Sequence, residues 1–381
     1  MLGATLVWAA FLGAAAAITY ILVIYPLVLA WMAARRGRPI KKKASLVAPV
    51  TVIVPVRNGE RWVRRKIESI LSLDYPRELL EILFVSDGST DATEPVIQSY
   101  SDKGIQLLTV PRGGKPAALN AAVPQARGEF LFLTDVRQSL DPACLRQLVS
   151  CMADPEVGVV SGNLLISKGK NREQASTSLY WRYENWIRGN LSRLDSMLGA
   201  TGPVYLIRRS LYVPIPADSL LDDVFLPMSV HVKGYRLVQE ERAIAVDEPT
   251  DIGSEFRRKV RTQAGILQFI ASFPAWHRPA NRMRLAFLSL KLGRLCLPYF
   301  LAILLLSAFL LPYPWNVAAA TPQVAFWLLA ASDSLMPEHS FAKKLTAPAA
   351  AFASLAIAAL LAWKILFVPP NRIWVEARAQ K

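Results

Sequence analysis

Cysteine and histidine are both scarce, three of each in 381 residues. Cys144, Cys151 and Cys296 show no Cys-x-x-Cys spacing, so neither a disulfide framework nor a zinc site has support, and small buried hydrophobes are the plain reading. No histidine has a serine, a cysteine or a second histidine at catalytic or ligand spacing, which leaves hydrolytic triads without a basis. A Walker loop is missing too: Gly113-Gly114-Lys115-Pro116 lacks the Gly-x-x-x-x-Gly-Lys-Ser/Thr spacing of a P-loop. Acidic residues are the minority charge. With 29 Asp and Glu against 44 Lys and Arg, the formal net charge is +15, which in a soluble chain would raise nucleic acid as a partner. Here Arg35, Arg36, Arg38, Lys41, Lys42 and Lys43 directly follow an apolar run, where anionic headgroups would hold them; membrane lipids, and no nucleic acid, are the expected partners.

The longest absence is of charge. Positions 2–32 carry no Asp, Glu, Lys or Arg, and the run exceeds the roughly 20 residues a spanning helix needs. It is too long for a signal-peptide core and has no basic start, so the expectation is an uncleaved anchor over 1–44 with the next domain on the cytoplasmic side of a cell inner membrane. Further apolar runs lie at 295–311, 324–331 with flanks, and 347–368, giving a multi-pass segment 295–368 before a tail at 369–381. The connector 312–321 has no Lys or Arg and reads as external, whereas Lys343, Lys344 and the tail read as internal. Three full spans cannot satisfy both, so one run is expected to be re-entrant or interfacial. Between domain and spans, 269–294 interleaves Trp276, Phe287 and Leu288 with Arg278, Arg282, Arg284, Lys291 and Arg294, the composition of a helix in the headgroup plane.

What remains, 45–268, is charged and alternates strand with helix. The β-branched run 50–56 reads as a buried parallel strand, 61–73 as an amphipathic helix, 80–85 as a strand, 93–100 as a helix, 105–110 as a strand, 115–126 as a helix and 129–134 as a strand. Such alternation predicts an α/β fold with a doubly wound, mainly parallel, Rossmann-like sheet whose ligand lies outside the carboxyl ends of the strands. Beyond 142 the pattern is mixed: helix at 143–152, strand at 157–161, an aromatic and basic helix through Trp181, Tyr183, Trp186 and Arg188, strand at 199–207, a helix opening at Asp222-Asp223, and strands at 235–239 and 242–246. The Trp and Tyr stripe fits packing or an acceptor groove.

Three acidic sites end strands or open helices. In Val85-Ser86-Asp87-Gly88-Ser89 the carboxylate could accept from a base or ribose, or cap the following helix. Lys115 after Gly113-Gly114 could present a cation to phosphate. Asp135 follows the apolar strand 130–133 and Thr134, where a lone carboxylate can hold a divalent cation that bridges phosphates. Asp222-Asp223 is either a helix cap or a general base with a neighbour that raises its pKa. Arg257, Arg258, Lys259 and Arg261 could stabilise a leaving diphosphate or form a membrane-facing stripe.

In this order, the strand with Pro55-Val56-Arg57-Asn58, then Ser86-Asp87-Gly88-Ser89, Gly114-Lys115, Thr134-Asp135, Asp222-Asp223 and Arg258-x-x-Arg261 resemble the inverting family 2 of nucleotide-sugar glycosyltransferases. The likeness is to its membrane-anchored branch, which includes hyaluronan, chitin, cellulose and poly-N-acetylglucosamine synthases. The resemblance implies an A-type glycosyltransferase domain and hexosyltransferase activity. It implies a UDP-sugar held by Pro55, Val56, Arg57, Asn58, Glu60, Asp87, Ser89, Lys115 and Asp135, with Asp87 at the uracil or ribose, and Mg²⁺ or Mn²⁺ on Asp135. Asp223 would be the base beside Asp222, Arg258 and Arg261 would face the leaving group, and the acceptor would be lipid-linked or a glycan. Three positions depart from the family pattern: Asp135-Val136-Arg137 has no second acid, Gly59 stands where Glu commonly follows Asn, and Thr262 replaces the tryptophan of the processive synthases. Thr262 removes a stacking platform for the acceptor, so a non-processive transferase is the expectation, with a processive synthase or an inactive nucleotide-sugar-binding subunit as alternatives.

Overall fold

The computed structural model describes residues 2–166, 173–248, 252–337, 340–370, 372 and 373, so most of the tail expected from 369 lies outside the described residues. The strands are β1 Val50–Val56, β2 Leu80–Asp87, β3 Ile105–Val110, β4 Phe130–Leu133, β5 Ser139–Leu140, β6 Val157–Ile166, β7 Tyr205–Arg208 and β8 Arg236–Asp247. They form a single sheet in the order β3-β2-β1-β4-β7-β6-β8-β5. β1 pairs in parallel with β2 and β4, and β2 with β3; β7 runs antiparallel to β4 and β6, and β5 antiparallel to β8. β6 and β8 are again parallel. The sheet is thus mostly parallel with two reversed strands, an A-type glycosyltransferase fold.

The apolar character of β1 follows from its having two covered faces. Val52 and Val54 pack with Val63, Ile67 and Ile70 of the helix Glu60–Leu71, while Ile53 packs with Ala118, Leu119 and Ala122 of the helix Gly114–Ala122. Alternate side chains serve opposite layers, so every position on the strand but the half-buried Pro55 is closed to water. Because β1 lies between β2 and β4, the strand order reverses there, and the carboxyl ends beside such a reversal are where sheets of this kind take their ligands. At the other end the backbone is tight: a Cβ on Gly128 would stand 2.4 Å from Thr51 N and 2.8 Å from Phe130 O. Backbone atoms cannot swing aside, so Gly128→Ala is expected to cost about 3 kcal/mol, read as a lowered thermal midpoint of the purified protein.

The expectations for the later strands differ from the structure. Residues 199–207 are not one strand: a turn with Gly199 at φ +142° precedes β7, because the chain must pass in front of Asp223 before it enters the sheet. The strands expected at 235–239 and 242–246 are the single strand β8, which absorbs the change of register in irregularities against β6.

Among the described residues three helices are long and apolar enough to cross a membrane: Leu2–Arg36, Arg284–Leu310 and Phe341–Leu366. The chain therefore has the helices of a multi-pass membrane protein. The helix Trp315–Ala331 between the last two has 17 residues. Segment 269–294 is not one helix. It comprises the end of the helix Ile252–Ser272, a 3-10 turn at Pro274–His277 and the start of the second long helix, since Pro274 and Pro279 interrupt it. The first two long helices each contain a π turn, at Tyr20–Ile24 and Leu288–Leu292. Tyr20 Oη and Ser289 Oγ join them at 2.9 Å, and Tyr183 Oη of the helix Glu173–Leu194 donates to Leu22 O at 2.7 Å.

Candidate active site

The loops after β1 and β2 are knitted together. β1 outruns its pairing with β4, which stops at Ile53, so Pro55 forfeits no ladder bond on that side. Asn58 takes φ +48°, a left-handed conformation that asparagine tolerates. Its Oδ1 accepts from Thr90 N at 2.9 Å, and its own N–H donates to Ser89 Oγ at 3.2 Å. A carboxylate oxygen of Glu60 accepts from Ala92 N at 3.3 Å. Asn58, Glu60 and Ser89 thus shape the rim with bonds to one another's loops, and Val56 and Arg57 lie at the strand end that the rim extends.

Asp87 is buried at the end of β2, and its oxygens accept from Gly113 N at 2.6 Å and Gly114 N at 2.9 and 3.0 Å. It therefore fixes the loop that delivers Lys115. Gly114 sits at φ +86°, outside the range of most side chains. Lys115 Nζ then lies 2.8 Å from Asp135 Oδ1 and 2.9 Å from Asp222 Oδ2. Burial alone would lower the Lys115 pKa, but Asp135 and Asp222 outweigh it and hold the ammonium above its usual value. Burial would likewise raise Asp135; Lys115, with Lys66 and Arg261, holds it below the ordinary carboxylate range.

Asp223 is the exception among these acids. Burial, joined by the charge of Asp222, pushes its pKa up to about 6 against the opposing charges of Lys115 and Arg261. A carboxylate poised there can take a proton near neutral pH. Gly202 lies against it: a Cβ there would stand 2.9 Å from Asp223 Oδ2. Gly202→Ala is expected to displace the carboxylate and lower kcat by about a hundredfold, with the thermal midpoint little changed.

The two arginines of the Arg258-x-x-Arg261 element part company. Arg258 pairs along its own helix with Glu255, whereas Arg261 is the one whose charge reaches Asp135 and Asp223. Thr262 Oγ1 donates to Arg258 O and offers no platform. Sequence reading does not single out Lys66, Gly202 or Tyr205. Lys66 is 1 % exposed beneath the Asp135 loop, and burial takes its pKa down to about 7 against the pull of Asp135. Tyr205 Oη is buried without a hydrogen-bond partner among the described residues, within electrostatic reach of Asp222, Asp223 and Asp135. Only a lysine on an apolar helix face and a glycine before a proline could have pointed to the first two.

Among the described residues no three His, Cys, Asp or Glu side chains converge as metal ligands. Arg137, where a second acid would stand, pairs with Asp247. The donor set fits a divalent cation held chiefly by a nucleotide's own phosphates, with Asp135 the protein oxygen at hand.

A mostly parallel sheet with carboxylates clustered at its rim, joined to long apolar helices, is the arrangement of the membrane-associated glycosyltransferase class. The chain belongs to glycosyl transferase family 2: residues 134–364 match glycosyl transferase family group 2 and residues 51–213 match glycosyl transferase family 2. It is 26% identical over 247 residues to the probable glycosyltransferase YdaM of Bacillus subtilis (strain 168), covering 59% of this chain and 57% of that protein. It is also 26% identical over 242 residues to a poly-beta-1,6-N-acetyl-D-glucosamine synthase of Staphylococcus epidermidis, covering 60% and 57%. The chain thus spans little more than half the length of these curated relatives. Among solved structures it is similar to the mannosyltransferase PcManGT of Pyrobaculum calidifontis, in complex with GDP-Man and Mn²⁺, with a TM-score of 0.68 and 24% identity over 91% of this chain and 98% of that one. That likeness supports the fold.

Proposed function

We propose that the chain transfers a hexose, with inversion, from a UDP-sugar to a growing glycan at the cytoplasmic face of an inner membrane, in the manner of a polysaccharide synthase. The similarity to the poly-N-acetylglucosamine synthase favours this over the short-acceptor transferase expected from Thr262. The observation that carries the chemistry is Asp223, with its raised pKa, beside a Lys115 that holds Asp135 and Asp222. Asp223 takes the proton of an acceptor hydroxyl as that oxygen attacks the anomeric carbon from the side opposite the diphosphate. The bond to the diphosphate breaks with its electron pair, so an α-linked donor gives a β-linked product. Lys115 and Arg261 answer the charge that develops on UDP. A bound Mg²⁺ or Mn²⁺ would neutralise part of that charge, held by Asp135. The basic flank at 35–43 supports the cytoplasmic orientation. The charge of Lys343 is met by Asp333 at 3.2 Å, which weakens its claim to mark an internal end. The short helix Trp315–Ala331 is then the segment that does not fully cross.

A second reading, a single-addition transferase acting on a lipid-linked acceptor, draws support from Thr262. The full chain in nanodiscs, given radiolabelled UDP-glucose, UDP-N-acetylglucosamine, UDP-galactose or GDP-mannose with Mn²⁺, separates the two. Long products from donor alone support the synthase, and one sugar added to a supplied lipid or oligosaccharide supports the transferase. Thermal stabilisation by UDP without turnover on any donor overturns both in favour of a binding subunit.

A further inference from the structure

The helix Glu60–Leu71 turns Val63, Ile67 and Ile70 into the core, and Lys66 is buried with them. An ammonium group there must be hydrogen-bonded or be very costly. Lys66 Nζ donates to Thr134 Oγ1 at 2.7 Å and to Gln138 O at 2.8 Å. These two acceptors bracket Asp135. Since an ammonium only donates, the single proton of Thr134 is free to go elsewhere, and it goes to Pro203 O at 2.7 Å. Pro203 follows Gly202, the residue that lies against Asp223. One buried lysine therefore ties the donor-side loop after β4 to the segment that backs the base. The far end of the loop has a second hold, Gln138 Nε2 donating to Asp247 at 2.9 Å.

We propose that Lys66 is a positioning residue that sets the placement of Asp135 relative to Asp223 through Thr134 and Pro203. The idea rests on the roles given above to those two acids. Lys66 itself touches no substrate and acts only through the loop it holds. Its opposite charge also lies within electrostatic reach of Asp135.

The test uses the full chain in nanodiscs and UDP with Mn²⁺ as the probe, with affinity measured by calorimetry. Lys66→Met, which keeps the length of the side chain but loses its donors, is expected to weaken UDP binding about tenfold, and less than about twofold when Asp135→Asn is already present. A structural role alone would lower the thermal midpoint and leave the same factor, or none, in both backgrounds; that outcome overturns the proposal. Should Lys66→Met not fold, Thr134 decides: Thr134→Ser is expected to bind UDP as the parent does and Thr134→Val to match the tenfold loss, whereas equal behaviour of the two overturns it. Failure of the parent protein to bind UDP strikes the proposed function instead, and is read before any variant is made.

Discussion

Replacing Asp223 by asparagine is expected to cut turnover about a thousandfold, within the range that loss of a general base produces, while the protein folds as before. The amide is nearly isosteric with the acid but cannot take a proton. Stability at neutral pH should hold or rise. The folded carboxyl, at about 6, lies above its unfolded value, so above that pH its ionised form is a burden that asparagine removes. In the parent enzyme kcat should fall as pH drops through about 6, since only the ionised form acts, and this acid limb should be missing from the residual rate of Asp223→Asn. A variant with parental turnover, measured as UDP release, would remove Asp223 from the mechanism.

Lys115→Met carries the second large effect. Lys115 and Asp222 are almost fully enclosed, with side-chain exposures of 14% and 7%, while Asp135 retains 36%. Removing the cation leaves two carboxylates close together with no counter-charge between them. The loss is expected to be about 3 kcal/mol, near the lower end for a broken buried pair because Asp135 still meets water. The pH dependence has a definite sign. In the parent, Asp135 lies below its unfolded pKa and adds stability above that value, lost as pH falls through the depressed folded pKa. In Lys115→Met, burial acts on Asp135 against Lys66 and Arg261 alone, so its pKa moves upward instead. The variant should therefore regain stability as pH is lowered from 7 towards 5, and the gap in thermal midpoint between the two proteins should narrow. Donor-dependent turnover should be lost at every pH, because the cation proposed to face the diphosphate is gone.

The parallel half of the sheet was legible because its signals are local. β1 and β3 run as their residues predict, since β-branched and apolar runs bounded by Gly, Asn and Pro can do little else. The later strands were less so. Residues 199–204 look apolar enough for a strand, yet packing against Asp223 and the φ of Gly199 make a turn of them, and that is a tertiary demand. In the site, Asp87, Lys115, Asp135, Asp222 and Asp223 stood out as charges at strand or helix ends. What each does was not legible. That Asp87 holds the Lys115 loop depends on backbone N–H groups, which carry no residue signature. Which of Arg258 and Arg261 turns inward depends on helix phase and on Glu255, three residues earlier. Lys66 was hidden for the opposite reason: a lysine in an amphipathic helix is ordinarily read as solvent-facing, and only the fold brings Thr134 over it.

The paired π turns give the first helix a task other than tethering. Tyr20 and Tyr183 fasten it to the second long helix and to the helix Glu173–Leu194, whose Arg188 donates to Thr201 Oγ1 at 2.8 Å, one residue from Gly202. A foreign anchor of equal length would keep the enzyme in place but sever that linkage. With the native linkage in place, bilayer thickness, which tilts such helices, is expected to be a variable of catalysis, so that the same enzyme in short-chain and long-chain lipids would run at different speeds with its chemistry unaltered, a dependence the foreign anchor would abolish.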